Sequence, residues 1–82
     1  MGVLLVTGGS RGIGAGVARS AAENGWHIGI NYTSNKESAE DVAAYVRSQG
    51  VKACVVKADV SNPDNVEAMF SRTEEELGPI TG

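Results

Sequence analysis

The apolar run Val3-Leu4-Leu5-Val6 passes straight into Thr7-Gly8-Gly9-Ser10-Arg11-Gly12-Ile13-Gly14, and a helical pattern follows at once. This junction constrains the fold more than any other feature. A short continuous apolar run fits a strand buried on both faces, the habit of a parallel sheet covered by helices. The glycines that follow have the spacing T-G-x-x-x-G-x-G. Gly8 permits a tight turn out of the strand. Gly12 lets another group approach the backbone with no Cβ in the way, and Gly14 lets a helix pack closely on a sheet. A helix that starts in such a turn points free N–H groups at whatever lies above it, which suits an anion. Glycines also punctuate turns that bind nothing. The strand before and the helix after favour the anion-binding reading.

Two further strand patterns alternate with helical ones. Ile28-Gly29-Ile30-Asn31 reads as a second strand, weakened by its glycine, and Lys52–Lys57 as a third. The first helical stretch, Gly12 to Asn24, places Ile13, Val17 and Ala21 on one face, with Gly25 as its stop. The second, Lys36 to Gln49, places Ala39, Val42, Ala43 and Val46 on one face. Ser34 and Glu37 form a candidate capping box, and Gly50 closes the helix. The third begins near Ser61, with Pro63 and Asp64 suited to a first turn. Its buried stripe is predicted as Val66, Met69, Phe70, Thr73 and Leu77, with Gly78-Pro79 as the stop.

The order β-α-β-α-β-α with short connections and right-handed crossovers implies an α/β fold with a parallel sheet in the order 3-2-1. The first two helices then share a face, and the third crosses to the other, leading to a fourth strand beside the first. Residues 79–82 stand where that strand should begin, and nothing in the sequence covers the free edge of strand one. Such an edge invites association. The expectation is that residues 1–82 are the N-terminal part of a longer protein.

Composition excludes several classes. The net charge is −3 with no run of Lys or Arg, which gives no support to nucleic-acid binding. No apolar run approaches the roughly 20 residues of a membrane span, and no basic segment precedes the apolar start as in a signal peptide. Cys54 is the single cysteine. It lies in the apolar ACVV run and reads as a small buried hydrophobe in a cytoplasmic protein. No His, Cys, Asp or Glu spacing suits a metal.

TGGSRGIG after a buried strand, and Asp59-Val60 after the third, together resemble the N-terminal third of a short-chain dehydrogenase/reductase. The style is nearest to 3-oxoacyl-carrier-protein reductases and sugar or polyol dehydrogenases. The resemblance spans essentially all 82 residues. It implies a partial Rossmann fold, a nicotinamide dinucleotide and, at full length, hydride transfer to or from a carbonyl or alcohol substrate by a cytoplasmic homo-oligomer. The candidate cofactor contacts are Gly8, Ser10, Arg11, Gly12, Ile13, Gly14, Asn31, Tyr32, Thr33, Ser34, Asp59 and Val60. The family's later catalytic Ser, Tyr and Lys have no counterpart among these residues, so the 82-residue stretch is not expected to catalyse alone. A non-catalytic nucleotide-binding or assembly module, pairing through the edge of strand one, is the alternative.

The second strand decides between dinucleotides. A site specific for NAD places an acid at its end, to hold the ribose 2′-OH. Asn31-Tyr32 stands there instead. Arg11 offers positive charge to a 2′-phosphate, and Thr33 and Ser34 offer hydroxyls beside a helix start. NADP is expected in preference to NAD. Bland readings remain beside these: Arg11 as a solvated cation, and Asp59 as a strand terminator. His27 and Trp26 read as structural. Tyr32-x-x-x-Lys36 has the spacing of a proton-transfer pair, yet a helix start falls between the two, which removes that role. Glu74-Glu75-Glu76 reads as a solvated face.

Overall fold

The computed structural model describes residues 2–8 and 12–82. Strand β1 (Val3–Val6) is followed by α1 (Gly12–Glu23), β2 (His27–Tyr32), α2 (Lys36–Ser48), β3 (Ala53–Lys57) and α3 (Pro63–Leu77). The three strands are parallel with β2 central. Val3 lies opposite His27 and Val6 opposite Ile30; Ile28 lies opposite Ala53 and Tyr32 opposite Lys57. This is the expected order, and β2 extends one residue beyond its predicted span at each end.

Strand parity divides the core between the two faces of the sheet, with α1 and α2 on one and α3 on the other, as the crossovers implied. Ile28, Ile30 and Tyr32 face α1 and α2, where they meet Ala15, Ala18, Ala22, Ala39, Val42, Ala43 and Val46. On the opposite face Cys54, Val56 and Met69 cluster with Leu5, Val66 and Leu77 under α3. Burial pushes the Cys54 thiol pKa up, as the hydrophobe reading implies.

The buried face of α1 differs from the sequence expectation. Ala15, Ala18 and Ala22 are buried, whereas Ile13 is 89% exposed and Val17 is exposed. A stripe of alanines at i, i+3 and i+7 lets the helix axis approach the sheet more closely than larger residues would. In α3, Met69 and Thr73 carry the packing and Phe70 is exposed. Gly29 explains the closeness there. A Cβ at Gly29 would fall 2.7 Å from Thr73 Cγ2 and 3.2 Å from Leu5 Cδ1. The glycine that makes β2 look weak in sequence is the space into which α3 settles.

Both predicted caps shift by one residue. Asn35, rather than Ser34, caps α2 and accepts from the Ser38 N–H at 3.0 Å. Asn62, rather than Ser61, caps α3 and accepts from Asp64 and Asn65 N–H groups. Ser61 is engaged with Asp59. Gly25, Gly50 and Gly78 take positive φ at the three helix ends, as the stop signals implied.

The edge of β1 is not free. Ile80 forms a parallel bridge to Val3, the Thr81 and Gly82 N–H groups donate to the Val3 carbonyl at 2.9 and 3.0 Å, and Leu5 N–H donates to Gly82 O. Glu74 takes part: its Oε2 accepts from Ile80 N–H at 3.1 Å, so one acid of the Glu74-Glu75-Glu76 run helps to start this segment. Glu76 pairs with Arg72 at 2.8 Å across one helical turn.

Candidate dinucleotide site at the carboxyl ends of the strands

In an open parallel α/β sheet, ligands bind in the crevice beyond the carboxyl ends of the strands. Here those ends run into Thr7-Gly8 after β1, Thr33-Ser34 after β2 and Ala58-Asp59-Val60 after β3. All of these residues except Ala58 are exposed. Ser10 and Arg11 lie outside the described residues, so the turn is described from its two sides.

Gly8 has φ 63° and Gly12 has φ 59°, both in the left-handed region that L-residues avoid. Among the described residues no heavy atom lies within 4 Å of where a Cβ would stand at either position. The described residues do not fill that space. Helix α1 begins at Gly12 and carries no acid in its first turn, so its positive dipole end faces the crevice uncompensated there. The arrangement fits an anionic diphosphate. Gly14 is partly buried in the same turn, and Ile13 presents its side chain to solvent.

On the β3 side, Asp59 Oδ1 accepts from the Ser61 N–H at 2.9 Å and from the Ser61 hydroxyl at 2.6 Å. These two bonds hold its carboxyl below the usual carboxylate range. Both fall on one oxygen; among the described residues Oδ2 has no partner and stands ready for an outside donor such as an exocyclic amine. Asn65 Oδ1 accepts from Asp59 N–H and so ties this loop to α3. Val60 is 53% exposed, an apolar wall beside the acid.

On the β2 side the predicted residues separate. Thr33 and Ser34 are exposed, and neither hydroxyl has a partner among the described residues. Tyr32 is buried among the α1 and α2 side chains, so its ring points into the core rather than the crevice. Asn31 also points inward and is 1% exposed. Its Oδ1 accepts from Gly8 N–H at 3.0 Å, and its Nδ2 donates to Ala58 O at 3.0 Å, with longer contacts of 3.4 Å to Tyr32 O and Val56 O. The residue expected to face a ribose instead ties the three strand ends together. Asn31, Asn35, Asn62 and Asn65 form the polar frame of the site, and sequence reasoning assigned a role only to the first. Asn at a strand end or before a helix was the available signal.

His27 Nδ1 accepts from Lys52 N–H at 3.0 Å, a structural role at the opposite ends of the strands. Trp26 packs against the core. Asn35, the cap of α2, stands between Tyr32 and Lys36, which keeps the pair from sharing a helix face. Among the described residues no three His, Cys, Asp or Glu side chains group to hold a metal, and no helix is long and apolar enough to cross a membrane.

The parallel sheet, the crossovers and the left-handed glycines at Gly8 and Gly12 define a nucleotide-binding fold of the Rossmann class. Residues 2–82 match the short chain dehydrogenase family, to which the chain belongs. It is 42% identical over 84 residues to a short-chain type dehydrogenase/reductase of Picea abies, covering 95% of this chain and 31% of that protein. It is 38% identical over 76 residues to the 3-oxoacyl-(acyl-carrier-protein) reductase FabG of Staphylococcus aureus, covering 93% of this chain and 31% of the reductase. Among solved structures, acetoin dehydrogenase from Enterobacter cloacae superimposes with a TM-score of 0.90 at 30% identity, over 98% of this chain and 33% of that one. A Burkholderia cenocepacia protein, assigned as a dehydrogenase and solved with bound NADP, superimposes with a TM-score of 0.91 at 33% identity, over 95% of this chain and 31% of that one. The chain thus spans about a third of the length of the proteins it matches.

Proposed function

We propose that residues 1–82 form the adenosine- and pyrophosphate-binding part of a longer NADP-dependent oxidoreductase that interconverts a carbonyl and an alcohol. The observation that carries this reading is the pair Gly8 and Gly12, left-handed glycines at the end of β1 and the start of α1 with no described atom where their Cβ would stand. The bound nicotinamide would supply or accept the hydride. This chain's residues would bind and orient the far end of the same molecule, so their contribution is positioning. Gly8, Gly12 and the first turn of α1 would hold the pyrophosphate. Asp59 and Val60 would hold adenine, and Thr33 and Ser34 the 2′-phosphate.

Preference for NADP is supported by three features. No acid stands at the end of β2, the Thr33 and Ser34 hydroxyls are exposed, and Arg11 supplies a cation within the glycine motif. The NADP bound to the Burkholderia relative agrees with this choice. The matched proteins include a 3-oxoacyl reductase and an acetoin dehydrogenase, which supports a ketone or secondary alcohol as the substrate class. The family resemblance supports a cytoplasmic homo-oligomer at full length. Residues 80–82 lie along the start of the β1 edge, at Val3 and Leu5, which favours this reading over an assembly module pairing through that edge. Titration of the full-length protein with NADPH and NADH, followed by nicotinamide fluorescence, tests the reading. Tighter binding of NADPH is expected, and its loss in Arg11→Ala should exceed the loss of NADH binding. Binding of neither, or preference for NADH, would overturn it.

A further inference from the structure

We propose that Asn31 is the positioning residue of this crevice: its amide locks the glycine turn after β1 to the strand end after β3, and an acid cannot replace it. The proposal rests on the dinucleotide reading above. Asn31 sits near the end of the central strand, and its side chain points towards the α3 face because its neighbours Ile30 and Tyr32 point the other way. From there it reaches both flanking strands. Its carbonyl oxygen takes the Gly8 N–H, and its amide nitrogen gives to Ala58 O. Ala58 N–H donates to Tyr32 O at 3.0 Å, closing the lattice. The pyrophosphate side and the adenine side of the crevice are therefore set by one buried amide.

The bonding demands an amide. A short side chain must accept from an N–H on one side and donate to carbonyls on the other, and Asn does both at once. The ionised carboxylate of an Asn31→Asp variant would turn an oxygen towards the carbonyls of Ala58, Tyr32 and Val56, acceptor against acceptor in a buried site. An acid at this strand end is the obvious substitution for gaining NAD. In this chain it should break the frame instead of recruiting a ribose hydroxyl.

The test uses the full-length protein, with NADPH and NADH as probes and Asn31→Asp and Asn31→Leu as variants. Dinucleotide affinity is read by titration, and the Gly8 amide by hydrogen exchange. For Asn31→Asp, binding of both dinucleotides should weaken about tenfold or more, since small displacements of a positioned site carry losses of this order or larger. Their ratio should stay as in the wild type. In Asn31→Leu the Gly8 amide should also exchange faster, while amides in α2 and α3 keep their rates. If Asn31→Leu does not fold, Asn31→Ser, too short to span the strands, takes its place. Tighter NADH binding by Asn31→Asp would overturn the proposal, as would an unchanged Gly8 exchange rate. Loss of stability at undiminished NADPH affinity would make Asn31 a residue of the fold alone, and would also overturn it. Wild-type protein that binds neither dinucleotide removes the reading beneath the proposal, and the proposal with it.

Discussion

Gly12→Ala separates what the glycine turn does for the fold from what it does for a ligand. At φ 59° an L-residue is strained, which costs about 1–2 kcal/mol. No packing clash with the described residues adds to this, because none of their atoms lies within 4 Å of the new Cβ. A loss of about 1–2 kcal/mol in stability is therefore expected, and the protein should still fold. The effect on binding should be larger. The methyl group would enter the space proposed for the pyrophosphate, so a ligand held there must move by about an ångström or the turn must open, at a cost near 100-fold in affinity. Gly16→Ala is the internal control. Gly16 lies mid-helix in α1, exposed, with open space around it and an ordinary φ. Alanine there should stabilise the protein by about 0.8–1 kcal/mol and leave dinucleotide affinity unchanged. Urea denaturation gives the stability arm and NADPH titration the binding arm. Wild-type affinity in a folded Gly12→Ala variant would refute the reasoning, as would an equal affinity loss in both variants.

Three further outcomes follow from the geometry. Gly29→Ala should destabilise by about 1–3 kcal/mol through the clash with Thr73 Cγ2, and Thr73→Ser in the same chain should recover part of that loss; a double-mutant cycle in urea with additive effects would contradict it. Asn62→Ala should cost about 1 kcal/mol through loss of the α3 cap, read as a lower urea midpoint at unchanged slope. The lowered Asp59 pKa implies a stabilising contribution fully present above its unfolded value near pH 3.9 and lost as pH falls through the lower folded value. In Ser61→Ala the Asp59 carboxyl should titrate closer to the ordinary range, and an unchanged carboxyl titration by NMR would assign the shift elsewhere.

Much of this was legible because it depends on spacing. The alternation of short apolar runs with amphipathic stretches implied three parallel strands and the division of helices between two faces. The glycine motif and Asp59-Val60 were placed directly after the first and third strands, which is where they lie. The errors share a different cause: they turn on size and direction rather than on polarity. Helical spacing put Ile13, Val17 and Ala21 on one face, whereas close helix–sheet approach buries Ala15, Ala18 and Ala22. Asn35 and Asn62 displaced Ser34 and Ser61 as caps, because Asn and Ser have similar preference and local backbone geometry decides between them. Asn31 was placed correctly along the chain but assigned the wrong direction. Strand parity, counted from Ile30 and Tyr32, would have turned it inward and identified a buried amide in need of partners.

The most direct measurement is a map of backbone amide shifts as NADP is added to the full-length protein. Perturbations are expected at residues 7–14, 32–35 and 58–61, where the three strands end, with little change at Trp26, His27 and Lys52 at the opposite end of the sheet. Perturbations centred on that opposite end, or none at saturating NADP, would contradict a dinucleotide site at the carboxyl ends of the strands.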